Sequence, residues 1–461
     1  MNLNDMPAFD SKVGESKMTI TAEIPTTADT TVKILAEKIG SRRARVGVVG
    51  LGYVGLPLAV EFAHAGFSVT GIDVSERKVR RINAGDSYVG DVPSATLAPL
   101  VEAGALRATS DFAALAGLDT VNICVPTPLR KTKDPDMSFI VAACEQIAGH
   151  LHAGMLVILE STTYPGTTDE VALPMLSKSG LSVGVDFFLC FSPERVDPGN
   201  PNFQTANIPK VVGGCTPACT EMGRLFYAQA LERVIPVSST QVAEMVKLLE
   251  NTFRMINIGL ANEMALMCDR MRIDVWEVID AAATKPFGFM PFYPGPGLGG
   301  RCIPIDPFYL SWKTKQAGIE ARFIELAGYI NGQMPHFAAD KVQNALNDAG
   351  KPVKGSRIHV MGVAYKRNID DMRESPALDV LLLLARRGAI VSYSDPHVPH
   401  LSLDGLQLDA QPESAAADAD CVVIITDHAA FDYRALVERS RLIVDTRNAL
   451  KGFRSEKIVR L

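Results

Sequence analysis

The pattern of apolar positions changes character twice along the chain. From residue 45 it consists of short, nearly continuous runs, RVGVVG, SVTGIDV, DTVNICVP, MLVILEST and DFFLCFSP, with helix-length segments between most of them. Runs of this kind suit strands buried on both faces, and their exchange with helical segments predicts a parallel sheet covered by helices. Near 238 the period lengthens. Val242, Val246, Leu249, Phe253, Ile256, Leu260, Met264 and Met267 recur at spacings of three and four, which predicts one helix of about thirty residues that bridges domains or meets a partner. Beyond the glycine- and proline-rich PFYPGPGLGGRCIPID and a further helical stretch, the alternation returns with SRIHVMGVA, AIVSYSDP, CVVIITD and RLIVDTRN.

The expected fold is therefore α/β, with two Rossmann-like, doubly wound parallel-sheet domains joined by a helical middle domain containing one long helix. The pattern divides the chain into an extension (1–44), a first α/β domain (45–237), a helical domain (238–340) and a second α/β domain (341–461). Within the extension, TVKILAEKI is expected to form a short docking helix after a mobile polar arm.

Composition narrows the function classes. With 46 basic against 52 acidic residues in 461, the chain lacks the global positive field that recruits nucleic acid or an anionic membrane. Any bound anion must be held by local groups. The apolar run ALDVLLLLA is about half a membrane span and contains Asp379, and no signal-type segment opens the chain. A soluble, cytoplasmic protein is expected, without nucleic acid or membrane as partner. The eight cysteines are scattered, which fits reduced thiols; Cys215 and Cys219 have no histidine or further cysteine nearby, so no metal site is expected.

The first strand run ends in Gly50, Leu51, Gly52, Tyr53, Val54 and Gly55, a helical segment follows, and the second strand run ends in Asp73. A GxGxxG turn with strand, helix and terminal acid all in place predicts a dinucleotide site. Gly50 permits the turn, Gly52 lets a pyrophosphate approach the backbone, and Gly55 lets helix pack on strand. Asp73 would accept hydrogen bonds from the ribose hydroxyls, favouring NAD, although Arg77 and Lys78 stand close enough to keep a ribose phosphate in play.

Cysteine is usually a small buried hydrophobe, the reading adopted for Cys124, Cys144, Cys190, Cys268 and Cys421. Cys302 differs. Gly299 and Gly300 before it would let a ligand lie against backbone, and Asp306 follows four residues on, a setting for a reactive thiol. Lys247 and Asn251, four apart on the long helix, lie beside its apolar stripe; from spacing alone they are a solvated helix side or partners of the thiol. Glu194 and Arg195 end the run FSPER, at a sheet edge where such folds hold ligands, or in a surface loop.

Taken together, VGLGYVGLP, ESTTYPGTT, FSPER, KLLEN, PGPGLGGRCIPID, GVAYKRNIDDMRESPA and DTRN resemble the UDP-glucose/GDP-mannose dehydrogenase family from about residue 45 to the C-terminus. The resemblance implies oxidation of a nucleotide sugar's C6 alcohol to a carboxylate with two NAD and one water, Cys302 forming first a thiohemiacetal and then a thioester. It implies that Lys247 and Asn251 stabilise the oxyanion, that Asp306 and Lys247 move protons, that Glu194 transfers a proton or activates water, and that Thr162 places that water. NAD would be held by Gly50, Leu51, Gly52, Tyr53, Val54, Gly55, Asp73, Lys78, Thr127 and Arg373. The UDP-sugar would be held by Glu194, Arg195, Lys247, Asn251, Tyr293, Gly299, Tyr365, Lys366 and Arg447. The GVAYK turn keeps Gly362 without the three-glycine register, which suits a UDP-binding half, and the family implies a homodimer or larger homo-oligomer built through the helical middle.

Two departures bear on the sugar. Pro198 and Ile305 stand where the UDP-glucose branch carries glutamate and lysine, so the chain looks closer to the branch acting on UDP-N-acetylhexosamines. The resulting order is UDP-N-acetylglucosamine, UDP-N-acetylmannosamine, then UDP-glucose, the uronic acid feeding polysaccharide biosynthesis. Arg301 replaces the histidine expected in that branch. Two other classes remain: a two-electron dehydrogenase that needs no cysteine, and a non-enzymatic module in which NAD biases a conformation.

Overall fold

The computed structural model describes residues 28–130, 134–197, 200, 202–300 and 302–461. Arg301 and Pro198 lie outside these residues, as does the arm before the helix Ala28–Gly40. That helix packs on the helix Pro217–Tyr227, burying Leu35 and Ile39 in the first unit's core, and Lys38 reaches Asp119 at 2.6 Å.

The first sheet contains β1 (Arg45–Val49), β2 (Ser68–Ile72), β3 (Leu106–Thr109), β4 (Thr120–Ile123), β5 (Leu156–Leu159), β6 (Phe188–Phe191), β7 (Lys210–Gly214) and β8 (Val234–Val237). Its order is β3-β2-β1-β4-β5-β6-β7-β8, parallel throughout except for the antiparallel pair β6–β7. The strand order reverses between β1 and β4, which opens a crevice at their C-terminal ends. Three strands escaped the sequence pattern for visible reasons: β3 alternates buried and exposed residues, β7 ends in two glycines, and β8 contains Pro236. Both faces of the sheet are covered. On one, Phe62, Phe67, Phe226 and Tyr227 form an aromatic cluster, with Phe62 stacked on Phe226 at 4.3 Å; on the other, Ile140, Cys144 and Ile147 pack on Val121, Val157 and Leu189.

The second unit contains β9 (Arg357–Met361), β10 (Ile390–Ser394), the hairpin β11 (His400–Leu403) with β12 (Leu406–Asp409), β13 (Cys421–Ile424), β14 (Ile443–Asp445) and β15 (Ile458–Arg460). The order β10-β9-β13-β14-β15 is fully parallel and again reverses beside its first strand.

Between the units runs the helix Thr240–Met271, capped by Ser239 Oγ accepting from the Val242 N–H and closed by Arg272 at φ 58°. Its packing inverts the expectation. Leu249 is 63% exposed and Leu260 55%, whereas Lys247 is 7% and Asn251 5% exposed. Thr240, Glu244, Lys247, Asn251 and Asn262 share the buried side with Ala243, Leu248, Met255, Ala261 and Ala265, against the helices Cys302–Gln316 and Arg322–Asp348. A solvated helix side is thus excluded for Lys247 and Asn251. The helix Arg322–Asp348 runs unbroken past residue 340 and packs its last turns on the second unit's core. Among the described residues, no helix is long and apolar enough to cross a membrane.

Candidate active site

At the end of β1 the three glycines act differently. Gly50 has φ +92°, and a Cβ there would lie 2.7 Å from the Cys124 carbonyl oxygen; a Cβ on Gly55 would lie 1.9 Å from the Gly50 carbonyl oxygen. These two close the turn. A Cβ on Gly52 would meet nothing within 4 Å, so the turn leaves open surface in front of the helix Gly55–His64, whose positive dipole end suits a diphosphate. Asp73, buried at the end of β2, accepts from the Leu51 N–H and from Lys78 Nζ at 2.9 Å each through Oδ2, and from the Ser75 N–H at 2.9 Å through Oδ1. Lys78 is therefore committed to the carboxylate, whose orientation is fixed by these three donors. The groups present fit NAD.

Cys302 does not sit in the glycine-rich loop, as its sequence context suggests, but opens the helix Cys302–Gln316. A helix N-terminus favours the thiolate over the thiol. The preceding glycines serve close packing of protein on protein rather than an open backbone: a Cβ on Gly299 would lie 2.5 Å from the Tyr365 Cβ, and Gly300, at φ +79°, abuts the Tyr365 ring. The Gly300 N–H donates to the Arg373 carbonyl at 2.9 Å, and the Arg373 guanidinium lies over the Tyr53 ring, 5.1 Å from its centroid. The dinucleotide turn, the thiol loop and the second unit thus meet in one place, beside a cavity of about 530 Å³ lined by Tyr53, Asp91, Tyr365, Asn368, Arg373 and His397.

One helical turn after the thiol, Asp306 is buried and receives the Asn251 Nδ2–H at 2.6 Å. Burial pushes its pKa up to about 7, against the pull of Lys247 and the Asn251 hydrogen bond. The Cys302 side chain opens onto the cleft, yet the cleft walls still strip enough water to raise its pKa; Asp306 raises it further, while Lys247, Arg254 and Arg373 pull it down. Lys247 donates to the Glu194 carbonyl and influences Glu194, Cys302 and Asp306 alike.

The opposition between Asp306 and the thiol is testable by sign. Above about pH 7 an ionised Asp306 disfavours the thiolate, so Asp306→Asn lowers the thiol pKa and is expected to speed iodoacetamide alkylation at pH 8 by about 3- to 10-fold. Equal rates in the two proteins would show that the groups do not interact.

Profiles described as UDP-glucose/GDP-mannose dehydrogenase family match in three consecutive parts: the NAD binding domain over 44–231, the central domain over 241–333 and the UDP binding domain over 359–452. The chain belongs to the UDP-glucose/GDP-mannose dehydrogenase family. Similar proteins include the UDP-N-acetyl-D-mannosamine dehydrogenase of Pyrococcus horikoshii, 36% identical over 415 residues (88% of this chain, 96% of that protein), and that of Salmonella typhi, 36% identical over 422 residues (87% and 98%). A solved structure of a UDP-D-ManNAc dehydrogenase from Pyrococcus horikoshii superposes with a TM-score of 0.83 at 34% identity, covering 90% of this chain and 98% of that one. The protein is an NAD-dependent UDP-sugar dehydrogenase.

In this dehydrogenase the other sequence-derived candidates are distributed unevenly. The Thr162 carbonyl accepts from Thr127 Oγ1 at 2.6 Å, and the Thr127 carbonyl accepts from the Tyr309 hydroxyl, so both threonines tie the β4 and β5 loops to the Cys302 helix. Arg195 turns away to the Pro209 carbonyl at 2.7 Å and Glu250 at 2.6 Å. Tyr293 stacks on Trp276 and donates to Asp280 at 2.8 Å on the outer side. Lys366 crosses to Asp197 at 2.8 Å, tying the second unit to the loop after Glu194. Arg447 donates through Nε to the Ile425 carbonyl at 2.8 Å, and its Nη1 would lie 2.5 Å from a Cβ on Gly295, so it packs against the start of the glycine-rich run before Cys302. The sequence reading missed Arg254, which acts on the thiol from the long helix, and the buried pair Glu160–Lys210 behind Glu194 at 2.6 Å. Glu160 carried a signal, as an acid ending the strand next to that of Glu194; Lys210, a lysine opening an apolar strand, carried none.

Proposed function

We propose that the enzyme oxidises the C6 alcohol of a UDP-N-acetylhexosamine to the uronate, with Cys302 holding the sugar between two hydride transfers. The observation that carries this reading is the convergence of an exposed helix-initial thiol with Lys247, Asn251 and Asp306 beside the glycine turn. Bound NAD supplies the hydride acceptor for each oxidation. Asp306, with Lys247, takes the hydroxyl proton as the alcohol becomes an aldehyde. Cys302 then adds to that carbonyl, and Lys247 and Asn251 meet the resulting oxyanion. Loss of the second hydride leaves a thioester, which water cleaves to carboxylate and thiolate. In sum, alcohol, water and two NAD⁺ give carboxylate, two NADH and three protons. A base of pKa about 7 implies turnover that rises with pH through that value.

For the diphosphate and uracil, Lys366, Arg447 and Tyr365 offer the cations and the ring on the second unit's side of the cleft. The similar proteins move UDP-N-acetylmannosamine ahead of UDP-N-acetylglucosamine, reversing the order from sequence, where no residue distinguished the C2 epimers. A panel of UDP-N-acetylmannosamine, UDP-N-acetylglucosamine and UDP-glucose tests this: the first is expected to give the highest kcat/KM, and a preference for UDP-glucose would sink the assignment.

The long helix supports a homo-oligomer as its working form. Val242, Leu249, Phe253, Leu260 and Met267 are exposed along one side, and Phe323, Leu326 and Tyr329 of the helix Arg322–Asp348 are exposed as well. Apolar area of this extent is typical of a surface covered by a second copy. Leu260→Glu is expected to lower the molecular mass seen by light scattering to that of one chain; an unchanged mass would exclude this face.

A further inference from the structure

The ends of β5 and β6 and the start of β7 bring Glu160, Glu194 and Lys210 together beneath the sugar cleft. The Lys210 ammonium is 6% exposed; it lies 2.6 Å from Glu160 Oε2, 3.3 Å from Glu194 Oε2 and over the Tyr227 ring. Burying an ammonium is unfavourable unless it is paired, and Glu160 alone provides that pair. Glu160 is also satisfied elsewhere, by the Tyr227 hydroxyl at 2.5 Å and Asn122 Nδ2 at 2.7 Å on Oε1. The ammonium has three N–H donors, and with one of them it bridges from Glu160 to Glu194.

Glu194 is correspondingly fixed in orientation. Its Oε1 accepts from the N–H groups of Arg195 and Val196, both at 2.7 Å, and its Oε2 faces Lys210. The other groups around it are Lys247 from the long helix, Cys124 from the end of β4 and Glu160 behind Lys210, while the Arg195 side chain is drawn off to Glu250. Burial favours the neutral acid, but Lys210, the two N–H groups and Lys247 outweigh it and hold the pKa below the usual value. A carboxylate so surrounded is a weak base and a fixed hydrogen-bond acceptor.

We infer that Lys210 is a positioning residue that keeps Glu194 an oriented carboxylate, so that Glu194 aligns the hydrolytic water by accepting its hydrogen bond while Asp306 takes the proton. This rests on the thioester reading above. In the step concerned, the water oxygen bonds to C6 of the thioester, the C6–S bond breaks with its electron pair returning to Cys302 as thiolate, and the two water protons leave to Asp306 and to solvent.

Full-length enzyme, Lys210→Met, Lys210→Arg and Glu194→Gln, each mixed with NAD and UDP-N-acetylmannosamine, are quenched with acid and weighed intact. Lys210→Met is expected to release two NADH per site and then stall with the acyl sugar on Cys302, at occupancy about tenfold higher at pH 6 than at pH 8 because Glu194 now takes up a proton. Glu194→Gln should hold the adduct at both pH values, and Lys210→Arg should clear it. Should Lys210→Met fail to fold, Glu160→Gln decides, because it leaves the ammonium to Glu194: turnover without adduct supports the inference. Accumulation in Glu160→Gln, or reduced turnover without adduct in folded Lys210→Met, overturns it in favour of a core ion pair. Wild-type enzyme giving one NADH per sugar would instead overturn the thioester reading itself.

Discussion

Cys302→Ala is expected to lower uronate formation by about a thousandfold or more, because the thiolate is the strong nucleophile placed to make the aldehyde carbon tetrahedral for the second hydride transfer. Among the described cysteines, Cys302 alone is exposed; Cys215 is intermediate and the other six are buried. The variant should keep NAD affinity and thermal stability, since the helix Cys302–Gln316 buries its far side through Phe308, Tyr309 and Ser311 rather than through its first residue. Product analysis by mass spectrometry should find traces of aldehyde and no uronate. Normal uronate output from Cys302→Ala would return the protein to the two-electron class.

Gly55→Ala is expected to abolish NAD binding and lower the melting temperature together. The new Cβ would start 1.9 Å from the Gly50 carbonyl oxygen, and the turn must open by roughly 1 to 1.5 Å to restore ordinary contact. That displacement moves the N–H groups meant for the diphosphate. Gly52→Ala is the matched control: its Cβ meets no protein atom within 4 Å, so the fold should keep its melting temperature while NAD affinity falls about tenfold or more through loss of close backbone approach. Calorimetric titration and thermal unfolding of the two variants separate the effects. Equal destabilisation by both would mean that the turn does not take the conformation described.

Much of this was legible in the chain because parallel strands buried on two faces leave continuous apolar runs, and a dinucleotide turn restricts residue type at fixed spacing. β1, β2, β4, β5 and β6 all fall within such runs. What escaped has a physical reason in each instance. The long helix showed its period but not its direction: its large apolar side chains face outward while Lys247 and Asn251 face inward, and periodicity carries no information about which side has a partner. The glycines and prolines around Cys302 suggest a loop, yet a proline is tolerated in a first helical turn, and the helix accommodates Pro307 as well. Arg195 and Lys366 are long side chains whose direction depends on Glu250 and Asp197, partners distant in sequence. Lys210 lies between two carboxylates only because β7 pairs antiparallel with β6, a topological fact that local sequence does not encode.

The direct measurement is the stoichiometry of NADH formed per UDP-N-acetylhexosamine consumed by the wild-type enzyme, followed by absorbance and by chromatography of the sugar nucleotide. Two NADH per sugar, with the C6 uronate as product, is the expected result; one NADH per sugar, with aldehyde as the final product, would contradict the role assigned to Cys302.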